Sequence, residues 1–241
     1  MNRFFAGKEN IFADEIVINK AEDVHHIKNV LRLKKGSAFI VFDSEEWEYE
    51  VELSSVRQSE IRARIIDKNR SFREPEIKIT LFQGVPKHGK METIIQKSVE
   101  LGVSHIVPVF TARSIGKTGV KHERLQKVAE EAVKQCRRAF VPSVSKEIRF
   151  LDMIDLLGDF ETVIFAYENE ENRSIKSALK TFETKPLSLA LVIGPEGGFS
   201  EEEAEALAGA GASAVSLGRM ILRTETAGPA AIAMIMYELE L

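Results

Sequence analysis

Leu189-Ala190-Leu191-Val192-Ile193-Gly194-Pro195-Glu196-Gly197-Gly198-Phe199-Ser200-Glu201-Glu202-Glu203 runs from an uninterrupted apolar segment through a glycine-rich turn into charged sequence. An apolar run without polar alternation is the pattern of a strand covered on both faces, as in a parallel sheet. Ser200 and Glu203 form an S-x-x-E capping box, so a helix opens directly after the turn. The same grammar repeats outward from this unit. Runs at Ile77 to Phe82, His105 to Val109, Thr162 to Ala166 and Ala214 to Leu217 alternate with helix-like segments such as Met91 to Leu101 and His122 to Arg138. This alternation predicts an α/β domain with a mostly parallel sheet.

Before Pro75 the pattern is different. Short alternating runs, Ser37 to Phe42, Glu48 to Leu53 and Glu60 to Ile65, predict a small β-rich domain. Ahead of them Val24, Ile27 and Leu31 share one face of a helix expected over Asp23 to Leu33, with Lys34-Lys35-Gly36 as its stop. The charged stretch Lys68 to Pro75 reads as a linker. Two domains are therefore expected, residues 1–72 and 73–241, with no internal repeat.

The 241 residues are 44% hydrophobic and 29% charged, enough apolar material for one large or two modest cores and unlike a disordered or fibrous chain. No stretch approaches the about 18 apolar residues of a membrane span, and Met1 to Lys8 has no apolar core of signal-peptide length, so no membrane partner is expected. A single cysteine, Cys136, makes neither an intrachain disulfide nor a multi-cysteine zinc site, and a reducing, cytoplasmic home is expected. His25-His26 has no third ligand at metal spacing, and no metal is expected. The net charge of −4 hides a gradient. Residues 76–140 carry 12 Lys+Arg against 6 Asp+Glu, whereas residues 141–241 carry 8 against 17. The basic middle, with Lys87, His88, Lys90, Arg113, Lys117, Arg137 and Arg138, keeps a nucleic-acid partner open, as do Arg32, Lys34 and Lys35.

In open α/β sheets, ligands sit where loops leave the carboxyl ends of strands. Gly194 to Gly198 builds a rigid turn whose backbone can approach a ligand closely. A phosphate site wants a helix N-terminus free of carboxylates, yet Glu196, Glu201, Glu202 and Glu203 crowd this one. A ligand with an adenosine and a positive centre but no phosphate, such as S-adenosylmethionine, suits it better. A second loop, Gly218-Arg219-Met220-Ile221-Leu222-Arg223-Thr224-Glu225-Thr226-Ala227, leads into a final helix expected to be capped by Thr224 or Thr226, with Gly228 and Pro229 in its first turn. Ala230 to Tyr237 within that helix is wholly apolar or aromatic, so both sides need cover and a homodimer is expected.

These residues carry a resemblance. Gly194-Pro195-Glu196-Gly197-Gly198 followed by Leu217-Gly218, Ile221-Leu222-Arg223 and Glu225-Thr226-Ala227 is similar to the RsmE family, which makes 3-methyluridine in small-subunit ribosomal RNA. His25-His26 with Val30-Leu31-Arg32, Lys97 with Glu100-Leu101-Gly102, and Gln135 and Arg137 with Pro142 extend the resemblance over nearly the whole chain. It implies a SPOUT methyltransferase: an N-terminal PUA-like β-barrel, a trefoil-knotted α/β domain, a homodimer, and S-adenosylmethionine in the knot loops. The donor-binding residues it implies are Gly194, Pro195, Glu196, Gly197, Gly198, Leu217, Gly218, Ile221, Leu222, Arg223 and Thr226. Arg223, Glu225 and Arg113 are the catalytic candidates. Arg3, Arg32, Lys34, Lys35, Lys87, Lys90, Arg137 and Arg138 are the candidate contacts to 16S ribosomal RNA or the small subunit. The competing readings are a SPOUT ribose 2′-O-methyltransferase and a non-catalytic RNA-binding assembly factor.

Overall fold

The computed structural model describes residues 1–43, 47–70, 74–87, 89–114 and 121–240, and groups the chain into two compact units. The first comprises Met1–Glu74 with Val133–Val141; the second comprises Pro75–Ala132 with Pro142–Leu241.

In the first unit, β1 (Arg3–Phe5), β2 (Glu15–Ile18), β3 (Ala38–Phe42), β4 (Trp47–Val56) and β5 (Ile61–Arg70) form one sheet in the order β1-β3-β4-β5-β2. Alternation decides its faces: Phe39 and Val41, Tyr49, Val51 and Leu53, and Ile61 and Ala63 point into a common core with Ile16, Ile18, Val24 and Ile27. Two expectations change here. The helix over Asp23 to Leu33 is instead a short α1 (Ala21–His25) that widens into a π turn at His26–Val30, after which Arg32 takes a left-handed backbone, φ 50°. Leu31 and Leu33 donate to the His26 and Ile27 carbonyls, so the chain winds more loosely than the 3.6-residue period assumes. Lys68, Asn69 and Arg70, read as linker, continue β5 against Tyr49, Glu48 and Trp47. The Lys68 ammonium lies 4.3 Å from the centre of the Trp47 ring, a cation–π contact that gives this charged end a partner. Ser71, Phe72 and Arg73 of the expected linker lie outside the described residues.

The second unit holds β6 (Lys78–Gly84), β7 (His105–Phe110), β8 (Ser143–Val144), β9 (Ile148–Arg149), β10 (Thr162–Ala166), β11 (Ser188–Ile193) and β12 (Ser213–Val215). They run parallel in the order β12-β10-β11-β6-β7-β8, with β9 also on β7. Its helices are α2 (Lys90–Glu100), α3 (His122–Cys136) up to Ala132, the last turn of α3 being grouped with the first unit, α4 (Phe150–Leu156), α5 (Ile175–Leu179), α6 (Glu201–Gly209) and α7 (Thr224–Leu239). Leu189 to Ile193 are all buried, as the unbroken apolar run requires of a central strand. Phe82, Val107, Phe165, Val192, Phe199 and Leu207 join the core on one face. The register pairs Ile193 with Gln83, which brings the turn after β11 against the end of β6. The expected α/β architecture with a parallel sheet following a β-rich domain is the one found.

Candidate active site

Loops leaving the carboxyl ends of β10, β11 and β12 enclose a cavity of about 470 Å³. Its walls include Tyr167 and Glu168 after β10, Gly194, Pro195, Glu196, Gly198 and Phe199 after β11, and Leu217 to Thr224 after β12. Three devices hold this rim. The Ser200 capping box forms as the sequence predicts, with Ser200 accepting from the Glu203 N–H and Glu203 accepting from the Ser200 N–H. The other oxygen of the buried Glu203 carboxylate accepts from the Ala112 N–H at 2.7 Å, tying α6 to the exit of β7. Gly84 forms the second device: a Cβ there would lie 2.5 Å from the Pro195 nitrogen, so only a hydrogen lets β6 back onto the turn. The third is a buried relay in which Gln83 Nε2 donates to Thr224 Oγ1 at 2.9 Å and Thr224 Oγ1 donates to the Gly194 carbonyl at 2.7 Å.

That relay corrects the expected cap of the last helix. Arg223 occupies the N-cap without a side-chain bond, because the Thr224 hydroxyl is committed to Gly194. Pro229 lies past the first turn, within the helix, where it cannot donate to the Glu225 carbonyl.

Most of the expected donor-binding residues line the cavity: Gly194, Pro195, Glu196, Gly198, Leu217, Gly218, Ile221, Leu222 and Arg223. Two do not. Thr226 is exposed on α7, and Gly197 faces a separate recess of about 370 Å³ shared with Lys87, Arg113 and Ser114. Arg113 Nη1 donates to the Gly197 carbonyl at 2.7 Å. Gly198 takes φ 66°, a conformation that glycine adopts without strain.

The charge arrangement was not legible beforehand. Lys90 Nζ lies 3.1 Å from Glu196 Oε1 and 3.2 Å from Glu225 Oε2, and the Lys87 N–H also donates to the Glu196 carboxylate. Glu196 and then Glu225 raise the Lys90 pKa. Burial pushes Glu196 upward, but its own N–H, Lys90 and the Lys87 N–H outweigh that and hold the carboxyl below its ordinary range. The Glu225 carboxyl is lowered by its own N–H against some burial, then by Lys90 and by the charge of Arg223. All three groups are ionised at neutral pH.

The basic candidates separate into two kinds. Arg32, Lys34, Lys35, Lys87 and Arg137 are exposed. Arg138, expected on an RNA-facing surface, is buried and bonded to Glu74 at 2.7 Å, while the Ala139 and Phe140 N–H groups hold the same carboxylate. The Arg3 guanidinium is 10% exposed and paired with Glu48, so it too is structural. Lys90, expected among the RNA contacts, is turned to the two carboxylates of the cavity rim. His88 and Lys117 lie outside the described residues. Sequence reasoning missed Gln83, Gly84, Tyr167 and Glu168; the strand-end rule alone would have flagged the last two, which directly follow β10.

Comparison with known proteins gives the family. An RNA methyltransferase domain family matches residues 73–236, and an RNA methyltransferase PUA domain family matches residues 18–62. Ribosomal RNA small subunit methyltransferase E of Bacillus subtilis (strain 168) is 37% identical over 228 residues, covering 91% of this chain and 89% of that protein. The crystal structure of a ribosomal RNA small subunit methyltransferase E from Neisseria gonorrhoeae, bound to S-adenosyl methionine, superposes with a TM-score of 0.86 at 30% identity, covering 98% of this chain and 97% of that one. A Legionella pneumophila methyltransferase solved with S-adenosylmethionine superposes at 0.82 with 26% identity, covering 98% and 96%. By family model, sequence and fold, this chain belongs to the ribosomal RNA small subunit methyltransferase E family, the RsmE family.

Proposed function

We propose that this protein methylates N3 of a specific uridine in 16S ribosomal RNA, using S-adenosylmethionine bound in the 470 Å³ cavity. The observation that carries the reading is the wall of that cavity. Apolar Phe199, Leu217, Ile221 and Leu222 with close-approaching glycines suit an adenosine, and Glu168 offers a carboxylate to a cationic group, Glu196 being paired with Lys90. S-adenosylmethionine supplies an electrophilic methyl group when bound. Uracil N3–H is a weakly acidic imide between two carbonyls, so the protein must orient it, accept its proton and stabilise negative charge on the ring oxygens. Arg223, on the cavity wall, is the first candidate for that charge, and Arg113 the second. Glu225 is a depressed carboxylate and therefore a weak proton acceptor; its part is to place Lys90.

The same reading assigns residues 1–72 to RNA binding and residues 73–241 to methyl transfer, with Arg32, Lys34, Lys35, Lys87 and Arg137 as phosphate contacts. It includes a cytoplasmic location, a homodimer, and the knotted C-terminal segment that the family resemblance implies. The test is nucleoside mass spectrometry of 16S RNA from cells with and without the protein. Loss of 3-methyluridine is the expected result. Loss of a 2′-O-methylated nucleoside would move the chemistry to the ribose, and unchanged RNA from a protein that binds no donor would leave only an assembly role.

A further inference from the structure

We propose that Lys90 is a positioning residue that straps the glycine turn to the start of α7 and so holds the donor cavity in its binding shape; this rests on the donor reading above. Its ammonium reaches Glu196 at 3.1 Å and Glu225 at 3.2 Å, one carboxylate on the glycine turn and one in the first turn of α7. The three side chains are 32%, 25% and 21% exposed, so solvent screens them only in part. Without the ammonium, two ionised carboxylates would face each other across the rim and push the loops apart. The segment carrying Lys90 grips the turn twice more: the Lys87 N–H donates to Glu196, and Gly84 packs against Pro195. Attraction to the donor does not account for Lys90: the sulfonium repels an ammonium, and for the donor's α-carboxylate the Lys90 charge is already matched by Glu196 and Glu225. A phosphate contact does not account for it either, because its charge is already matched by two carboxylates inside the rim.

The experiment is calorimetry on the full chain with two ligands, S-adenosylmethionine and S-adenosylhomocysteine, whose sulfur is uncharged. A strap acts on cavity shape, so Lys90→Met should weaken both ligands alike, by about tenfold. Lys90→Arg, which can span the same two carboxylates, should restore both to within about threefold of the natural protein. Glu225→Gln, which cuts one leg and keeps the size, should weaken both by a smaller factor. Affinity for a 16S RNA fragment should stay unchanged in Lys90→Met. The proposal is overturned if Lys90→Met binds both ligands normally. It is equally overturned if only S-adenosylmethionine responds, which would make Lys90 a local charge, or if RNA affinity falls while donor affinity holds. It is overturned too if Glu225→Gln leaves both affinities unchanged or raises them, which would make Lys90 a contact to the carboxylate both ligands carry. If the natural protein binds neither ligand, the donor reading itself fails and the strap falls with it.

Discussion

Arg137 and Arg138 are neighbours of identical chemistry with opposite fates, which sequence could not distinguish. Arg137 is exposed in a left-handed conformation, φ 62°, whereas Arg138 is buried on Glu74, a partner distant in sequence that no local pattern marks. Removing one member of a buried pair leaves the other charge uncompensated, at a cost of about 3 to 5 kcal/mol. Arg138→Met should fall at the lower end, about 3 kcal/mol in denaturant unfolding, because the Ala139 and Phe140 N–H groups still face the carboxylate. If Arg138 met phosphate instead, the variant would keep its stability and lose RNA affinity. Arg223 is the contrary case, legible from its motif and found on the cavity wall. Arg223→Ala should leave donor affinity within a few-fold in calorimetry but slow methyl transfer by about 10²-fold, as expected for one lost oxyanion donor. Unchanged turnover would remove it from the mechanism.

Strands and helices were legible wherever one period dominates: the buried run of β11, the alternation of β4 and the Ser200 capping box all lie where the sequence places them. The α1 segment was misread because a π turn keeps apolar residues near helical spacing while changing the winding. Gly84 and Gln83 were invisible for another reason: Gly84 acts by packing on the turn after β11 and Gln83 through Thr224 of α7, both distant in sequence, and a glycine ending a strand looks like any turn signal. Gly84→Ala tests this packing directly. The new Cβ would meet the Pro195 nitrogen at 2.5 Å and the Gly194 carbonyl carbon at 2.8 Å, backbone atoms that cannot rotate away. The expected result is donor affinity reduced more than about tenfold together with about 1 to 3 kcal/mol lost in unfolding, the usual range for overpacking. Gly158→Ala, where a Cβ meets nothing within 4 Å, is the control and should change neither. A normal affinity for Gly84→Ala would mean that the β11 turn adjusts freely and that its contact with β6 does not shape the cavity.

For the whole molecule, segment charge was a coarse guide, because the basic middle third spends cations internally: Arg124 on Glu92, Lys134 on Asp23, Arg138 on Glu74 and Lys90 on the cavity rim. Arg32, Lys34, Lys35, Lys87 and Arg137 remain exposed, so neutralising about five phosphates should give a slope of log K against log salt of about −3.5 to −4.5. A flat salt titration would exclude a phosphate-led interface. The last helix carries the assembly question. Ala227, Ala231, Ile232, Ile235 and Met236 are buried, and the helix packs on α2, α5, β6 and β11, which supplies half of the cover its apolar sequence demands. The other side is unlike a solvated helix face: Ala230, Ala233 and Met234 are half-buried and Tyr237 is 71% exposed, a stripe at helical spacing with no charged residue on it. Small residues allow close helix approach and methionine adapts to a partner's shape, so a second copy packing there removes the exposure by symmetry. Light scattering at micromolar concentration should therefore give about twice the 27.0 kDa chain mass. Ala233→Arg places a charge in the centre of the stripe while leaving the buried side intact, and should return the mass to that of one chain. A natural protein of single-chain mass would refute the dimer, and a variant that stays at double mass would put the interface elsewhere than this helix.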